Sequence, residues 1–258
     1  FLDNTVNPSM GPASPTFFDA GKYVQTEQNY TAEFSYPLSV ESFHSPLNIA
    51  WGIEYRVETF EIRQGDEPSW TSGPYASQNE MLHSDGVTPM VPMAIFANGF
   101  PGFGPSQVGE FDRANYAAYL DLETDVVEAW TVGLAVRFED FDDFGTTTKG
   151  KLSTRYQISE DFALRGSLSS GFRAPTPGQS NVTKVSTRTV GGVLQQAATV
   201  PPLSPLGRAM GGQALKPEES VNWTLGMVWN VTDDLTVTAD YYNIELSDRI
   251  GSTGLRTI

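Results

Sequence analysis

The sequence predicts an all-β protein whose antiparallel strands run up and down in a transmembrane β-barrel. Three observations predict this fold: segments in which apolar and polar residues alternate, links of alternating length between them, and no apolar run of the roughly 20 residues that a membrane-spanning helix needs. A barrel strand crosses a bilayer with about 9–11 residues. A chain that is 39% hydrophobic is therefore compatible with a membrane protein.

Alternation is clearest at Leu47–Val57 and Trp130–Phe138, where every second residue is apolar and the residues between are polar or small. Such a segment is typical of a strand that has a different environment on each face. Weaker alternation predicts six more strands, for a total of about eight. These are Tyr30–Leu38, Arg113–Thr124, Thr148–Ile158, Phe162–Phe172, Val221–Val231 and Leu235–Tyr242.

The links between these segments are short and long in turn. The short links are Pro37–Pro46, Asp125–Glu128, Ser159–Asp161 and Thr232–Asp234, and the long ones are Gln64–Glu110, Phe141–Thr147 and Ala174–Glu218. Outer-membrane barrels have tight periplasmic turns and longer extracellular loops. Nothing in the architecture of a soluble sandwich requires a long loop at every second connection, so the alternation of short and long links favours a barrel.

The two faces of such a barrel differ in chemistry. Alternation places apolar side chains towards lipid and polar ones towards the lumen, although a solvated sheet face would give the same charge pattern. We expect these charged residues to face the lumen: Glu54, Arg56, Arg137, Arg155, Arg165 and Arg173.

The composition excludes several kinds of site. The chain has no Cys, two His and a net charge of −15, which argues against thiolate metal centres, cysteine catalysis and a nucleic-acid groove. His83 and Asp85 are neighbours in sequence, which says nothing about catalytic geometry. Asp140, Asp142 and Asp143 could ligate calcium, but such a run is more often a solvated turn. We expect no catalytic residue, resident metal or cofactor.

Aromatic side chains in the long loops are candidates for ligand contact. They could stack on a sugar or an aromatic siderophore, or they could equally pack the loop against its neighbours. These residues are Trp70, Tyr75, Phe96, Phe100 and Phe103.

Three motifs, in this order along the chain, resemble the barrel of TonB-dependent outer-membrane receptors. The first is Gly171-Phe172-Arg173-Ala174-Pro175 at the end of a predicted strand, and the second is Leu215-Lys216-Pro217-Glu218-Glu219-Ser220. The third, Asp240-Tyr241-Tyr242-Asn243-Ile244, continues to Asp248-Arg249-Ile250. Arg173 heads the loop after its strand, and a local ion pair with Glu139 or Asp140 is its favoured role.

The resemblance implies a location in the bacterial outer membrane and a barrel of about 22 strands around a plug. Nothing in residues 1–258 resembles the plug domain or the TonB box, so we expect the chain to be an internal part of the barrel domain. The resemblance also implies that the protein is not an enzyme. Its expected partners are outer-membrane lipid, its own plug domain, TonB acting through the plug, and a small-molecule ligand.

The implied function is TonB-energised uptake of a scarce or large nutrient, such as a ferric siderophore, cobalamin, haem or an oligosaccharide. Two alternatives share parts of the pattern: a passive outer-membrane barrel or channel, and a soluble β-rich carbohydrate-binding module. The sequence does not distinguish among the ligands of an active receptor.

Overall fold

The computed structural model describes residues 1–76, 93–190 and 193–254. The strands of these residues are β1 (Leu2–Asp3), β2 (Phe17–Phe18), β3 (Lys22–Leu38), β4 (Leu47–Arg63), β5 (Gly109–Val127), β6 (Trp130–Phe141), β7 (Gly145–Ser159), β8 (Phe162–Arg173), β9 (Lys184–Val190), β10 (Val193–Thr199), β11 (Glu218–Thr232) and β12 (Leu235–Ser247). A 3₁₀ helix (Pro8–Ala13) and three short helices complete the fold: α1 (Glu67–Trp70), α2 (Pro177–Asn181) and α3 (Pro205–Ala209).

Eight strands form one antiparallel sheet in the order β12-β11-β8-β7-β6-β5-β4-β3. The predicted strands are all present, and the all-β fold class is confirmed. The sheet is open, because among the described strands β3 and β12 each have a neighbour on one side only. Two small sheets, β1-β2 and β10-β9, lie outside it. No helix in the described parts of the chain has the length and apolar character needed to span a membrane.

Several strands extend beyond the predicted segments. Strand β4 has 17 residues, which at ~3.3 Å per residue gives a length of about 56 Å, well beyond a hydrocarbon core of ~30 Å. Its extension also changes pattern. Phe60 and Ile62 share the face of Glu54 and are buried, with 9% and 3% of their surface exposed. The simple alternation therefore stops near Val57, where the sequence predicted the strand to end.

The link between β6 and β7 is shorter than predicted. The expected long loop Phe141–Thr147 is wrong, because the two strands continue to Phe141 and Gly145 and leave a turn of residues 142–144. Gly145 closes the turn with a φ of +92°, a conformation that glycine adopts readily. The connections from β4 to β5 and from β8 to β11 are the two long loops at this same end, which we call the long-loop end; the structure describes residues 64–76, 93–108, 174–190 and 193–217 of them.

The apolar face of the sheet is open and rich in aromatic rings. Tyr30, Tyr55 and Tyr116 form a stacked row across three strands, with ring centroids 6.4 and 4.7 Å apart. Trp130 and Phe138, at opposite ends of one apolar register on β6, are 41% and 45% exposed. A continuous exposed apolar face is unusual for a water-soluble protein, and its alternation suits contact with lipid.

Candidate functional site: the polar face and the loop lobe

Strand β5 supplies the buried cation of the polar face. Arg113 is 5% exposed and pairs with Glu58 of β4, which is 8% exposed. The guanidinium also donates to the carbonyl of Pro175 and lies 5.5 Å above the ring of Phe141. Buried charges are tolerated when they are paired and hydrogen-bonded, so this cluster ties three strands to the loop that follows β8.

Asp143, in the β6–β7 turn, is a second carboxylate near this arginine. Its Oδ2 lies 3.7 Å from Arg113 Nη1. Burial raises the pKa of the Asp143 carboxyl, and the nearby positive charge of Arg113 opposes that shift without cancelling it. The turn is therefore sensitive to the protonation of one side chain.

A second network joins three of the residues predicted to face the lumen. Arg137 pairs with Glu54 at 2.9 Å and with Glu139 at 2.7 Å. Asn115 continues the chain, since it donates to Glu139 at 2.9 Å and accepts from Arg56 at 3.0 Å. The polar groups of β4, β5 and β6 thus satisfy one another across the sheet.

The other predicted residues of this face lie further along the sheet. Arg165 forms a two-bond pair with Asp240, at 2.9 and 2.5 Å, and Arg155 donates to Gln157 on its own strand at 2.6 Å. The strand registers place Arg155 opposite Arg165 and opposite Thr131, on the same face as Arg137. All six predicted residues lie on one face, and the lumen as its environment remains a prediction.

The three sequence motifs meet at one junction. Arg173 pairs with Glu218 at 3.4 Å, and Glu218 also accepts from the backbone N–H of Ile250 at 2.8 Å. The expected pairing of Arg173 with Glu139 or Asp140 is wrong. Glu218 lies directly opposite Arg173 in the strand register, whereas Glu139 is already bound by Arg137 and Asn115.

Other motif residues have structural roles at this junction or further along β11 and β12. Gly171 lies opposite Ser220, and a Cβ at Gly171 would come 2.7 Å from the Ser220 hydroxyl oxygen. Tyr241 packs its ring on Trp223, with centroids 5.3 Å apart. Phe172 is the penultimate residue of β8, Ala174 follows the strand, and Leu215, Lys216 and Pro217 lead into β11. Tyr242 lies opposite Thr224 in the middle of β12.

The long loop after β4 is folded against the beginning of the chain. Residues 1–21, 64–76 and 93–108 form a unit that we call the loop lobe. At its centre Asn7 is fully buried, donating to the carbonyls of Pro68 and Thr71 at 2.8 Å each. Its side-chain oxygen accepts from both the N–H and the hydroxyl of Ser9. Nothing in the sequence pattern indicated this lobe, because its order depends on hydrogen bonds between distant segments.

The lobe and the second long loop cover the polar face at the long-loop end. Phe60 and Ile62 of β4 pack with Phe103 of the lobe in a buried cluster, and Val182, just after α2, packs against it. Gln107 bridges the two loops by donating to the carbonyl of Thr183 at 2.8 Å. Both long loops therefore pack on the apolar residues at the end of β4.

Of the five loop aromatics, three pack against the protein and two line a cavity. Phe103 is 5% exposed in the buried cluster, Phe100 contacts it edge to face at 5.6 Å, and the Tyr75 ring packs against Gly11. Trp70 and Phe96 instead line a cavity of about 350 Å³ between the two long loops. The prediction of ligand contact is untested for all five.

The acidic turn is engaged by protein groups. Asp142 accepts from the backbone N–H of Ala114 at 3.0 Å, and Asp143 faces Arg113. Within the described residues no group of three or more acidic or histidine side chains is arranged to hold a metal ion. His83 and Asp85 lie outside those residues.

Solved structures show where this fold occurs elsewhere. The chain superposes on the siderophore receptor PirA from Acinetobacter baumannii with a TM-score of 0.58 and 17% identity, covering 88% of this chain and 28% of that one. For PirA from Pseudomonas aeruginosa the TM-score is 0.58 and the identity 15%, and the superposition covers 88% of this chain and 33% of that one. A third structure is the ferric enterobactin receptor PfeA from P. aeruginosa, solved as a Q482A mutant in complex with enterobactin. Its TM-score is 0.58 and its identity 14%, and the superposition covers 87% of this chain and 27% of that one. These identities establish likeness of fold alone.

Similarity in sequence to a curated protein covers a smaller part of this chain. The vitamin B12 transporter BtuB from Vibrio cholerae is 32% identical over 66 residues, which is 26% of this chain and 11% of that protein. The matched part thus amounts to about a tenth of the length of that curated relative. The family model described as TonB dependent receptor-like, beta-barrel, matches residues 2–258, and the chain belongs to that family of non-enzymatic receptors.

Proposed function

We propose that this chain is part of the barrel domain of an active outer-membrane receptor, which takes up a scarce or large nutrient with energy delivered through TonB. Membership in the receptor family carries the proposal. The exposed apolar face suits contact with outer-membrane lipid, and the polar face suits a plug within the lumen. The plug domain and TonB box would belong to other parts of the same protein.

The long-loop end is the side from which the nutrient would arrive. There the loop lobe and the second long loop meet above the polar face through Gln107 and Thr183. A siderophore receptor and a vitamin B12 transporter are among the similar proteins, which supports a ferric siderophore or cobalamin as the ligand. Haem and an oligosaccharide are the other ligands that the proposal includes. TonB can drive release only by favouring a plug state with lower affinity for that ligand.

Uptake measurements in paired strains test this function. Cells that produce the full-length protein receive a panel of radiolabelled siderophores, cobalamin, haem and oligosaccharides, in the presence and absence of TonB. We expect one ligand to bind the cell surface in both strains and to accumulate only with TonB. Accumulation that persists without TonB would instead identify a passive channel.

A further inference from the structure

The described residues that line the cavity between the two long loops are all uncharged. Its walls come from the loop lobe, including Trp70 and Phe96, and from Thr183 and Val185 after α2. The volume of about 350 Å³ is at the lower end of the range of ~300–1,000 Å³ that is typical of small-molecule pockets. It is large enough for a small molecule or for one end of a larger one.

The indole of Trp70 is held in a fixed position. Its Nε1 donates to the carbonyl of Gly65 at 3.0 Å. On the other loop segment, Gly104 lies so near the ring that an added Cβ would be 3.2 Å from it. An aromatic surface that is already fixed loses little conformational freedom when a ligand stacks on it.

Phe96 is in an unusual backbone conformation. Its φ is +71°, in the left-handed region that large side chains rarely adopt. The neighbouring Ala97 is 3% exposed and donates to the carbonyl of Ser69 at 3.0 Å, which holds this part of the loop in place. Strained positions of this kind concentrate at ligand sites, where the surrounding structure maintains them.

The polar groups of the cavity also have defined roles. Both ends of the Gln107 amide are used, because it donates to Thr183 O at 2.8 Å and accepts from Gly104 N at 2.9 Å. Ser106 is exposed at the rim and can exchange hydrogen bonds with a ligand. Among the described residues that line the cavity, an ionised ligand group would find no compensating charge.

We propose that this cavity binds an uncharged, flat ring that stacks against Trp70 and Phe96, and that the ring is one end of the transported nutrient. The assignment rests on the proposed function and adds a ligand chemistry to it. An aromatic ring and a sugar ring both offer a flat apolar face, so these are the two sources that an experiment must separate.

Saturation-transfer NMR with 4-nitrophenyl β-glucoside distinguishes an aromatic ring from a sugar ring, because this molecule contains both. The full-length protein in detergent is titrated with this neutral probe, and the signals of its aromatic and sugar protons show which ring contacts the protein. The charged analogue 4-nitrophenyl β-glucuronide, which keeps both rings and adds a carboxylate, is the comparison. We expect transfer to one ring of the neutral probe and at least about tenfold weaker binding of the glucuronide.

Two variants connect the signal to the cavity. Phe96→Ala removes a cavity wall, and we expect about tenfold weaker binding of the neutral probe. Phe100→Ala is the matched control, because Phe100 lies four residues away on the same segment and does not line the cavity. Ser106→Phe fills the rim without removing a packed side chain and should also block binding.

Three results would overturn the assignment: no transfer to either ring in the wild type, equal binding of the glucuronide, or equal losses from Phe96→Ala and Phe100→Ala. Failure of the proposed function has a different signature. Uptake without TonB would contradict active transport while leaving probe binding intact. Normal TonB-dependent uptake by a protein that binds no neutral ring would remove only the cavity assignment.

Discussion

Single residues decide the order of the long-loop end, and Asn7 is the clearest case. Its carboxamide donates two hydrogen bonds and accepts two while fully buried. Asn7→Asp keeps the shape but loses both donors and buries a carboxylate, so we expect a loss of about 2–3 kcal/mol in the stability of the lobe. Limited proteolysis of the full-length protein should then show cleavage within residues 1–76. Asn4→Asp, exposed nearby, is the control and should leave the digestion pattern unchanged.

The buried pair Arg113–Glu58 is a second residue-scale test. Arg113→Met leaves Glu58 without its partner and removes the bond to Pro175, so we expect about 3–5 kcal/mol of destabilisation. Urea unfolding in detergent measures it. Arg63→Met removes the exposed Arg63–Glu61 pair on β4, the strand of Glu58, and should have little effect. If the two variants unfolded at the same urea concentration, the Arg113–Glu58 pair would not be what stabilises this end of the sheet.

Asp143 predicts a dependence on pH. Because its pKa is raised in the folded protein, the protonated form is favoured there, and the contribution to stability is fully present below the ordinary carboxyl pKa. That contribution is lost as the pH rises through the raised value. Asp143→Asn should therefore match the wild type in acid and exceed its stability near neutral pH, measured by thermal unfolding. A wild type that becomes the more stable of the two near neutral pH would mean that the Arg113 ion pair dominates instead.

At the scale of elements, the period-two pattern predicted the middle of each strand well and its ends poorly. The pattern reports the contrast between the exposed apolar face and the polar face of the sheet, and it disappears near the end of β4, where loops cover Phe60 and Ile62. The loop lobe and the cavity were not predictable, because contacts such as Asn7 with Pro68 join segments about sixty residues apart. The motifs did predict Arg173 as an ion-pair residue, but the register that selects Glu218 required the structure.

The β6–β7 hairpin gives a prediction for an element. Gly145 has a φ of +92° and open space around its missing Cβ, so a side chain there meets backbone strain and no collision. Gly145→Val should destabilise the hairpin by about 1–2 kcal/mol and Gly145→Asn by less. Urea midpoints of the full-length protein in detergent measure the difference. Gly251→Ala is the control, because that glycine also has open space and lies outside the left-handed region.

For the molecule as a whole, the open sheet determines how residues 1–258 would behave alone. Strands β3 and β12 each leave one edge without a neighbour among the described strands, and the apolar face is exposed. Unpaired edges recruit other chains, and an apolar face adds to that tendency in water. We therefore expect the isolated chain to form large assemblies in detergent-free buffer.

Size-exclusion chromatography with light scattering, with and without detergent, tests this expectation. Lysine substitutions at Val237 and Tyr241, both exposed on the β12 edge strand, should shift the distribution towards smaller species, because charged edges resist pairing. The same substitutions at Leu134 and Leu152 place lysines on the same apolar face but on inner strands. If both pairs acted equally, the face would drive assembly and not the edge. A β-rich monomer without detergent would contradict the membrane assignment itself, since a lipid-facing surface of this size should not remain dispersed in water.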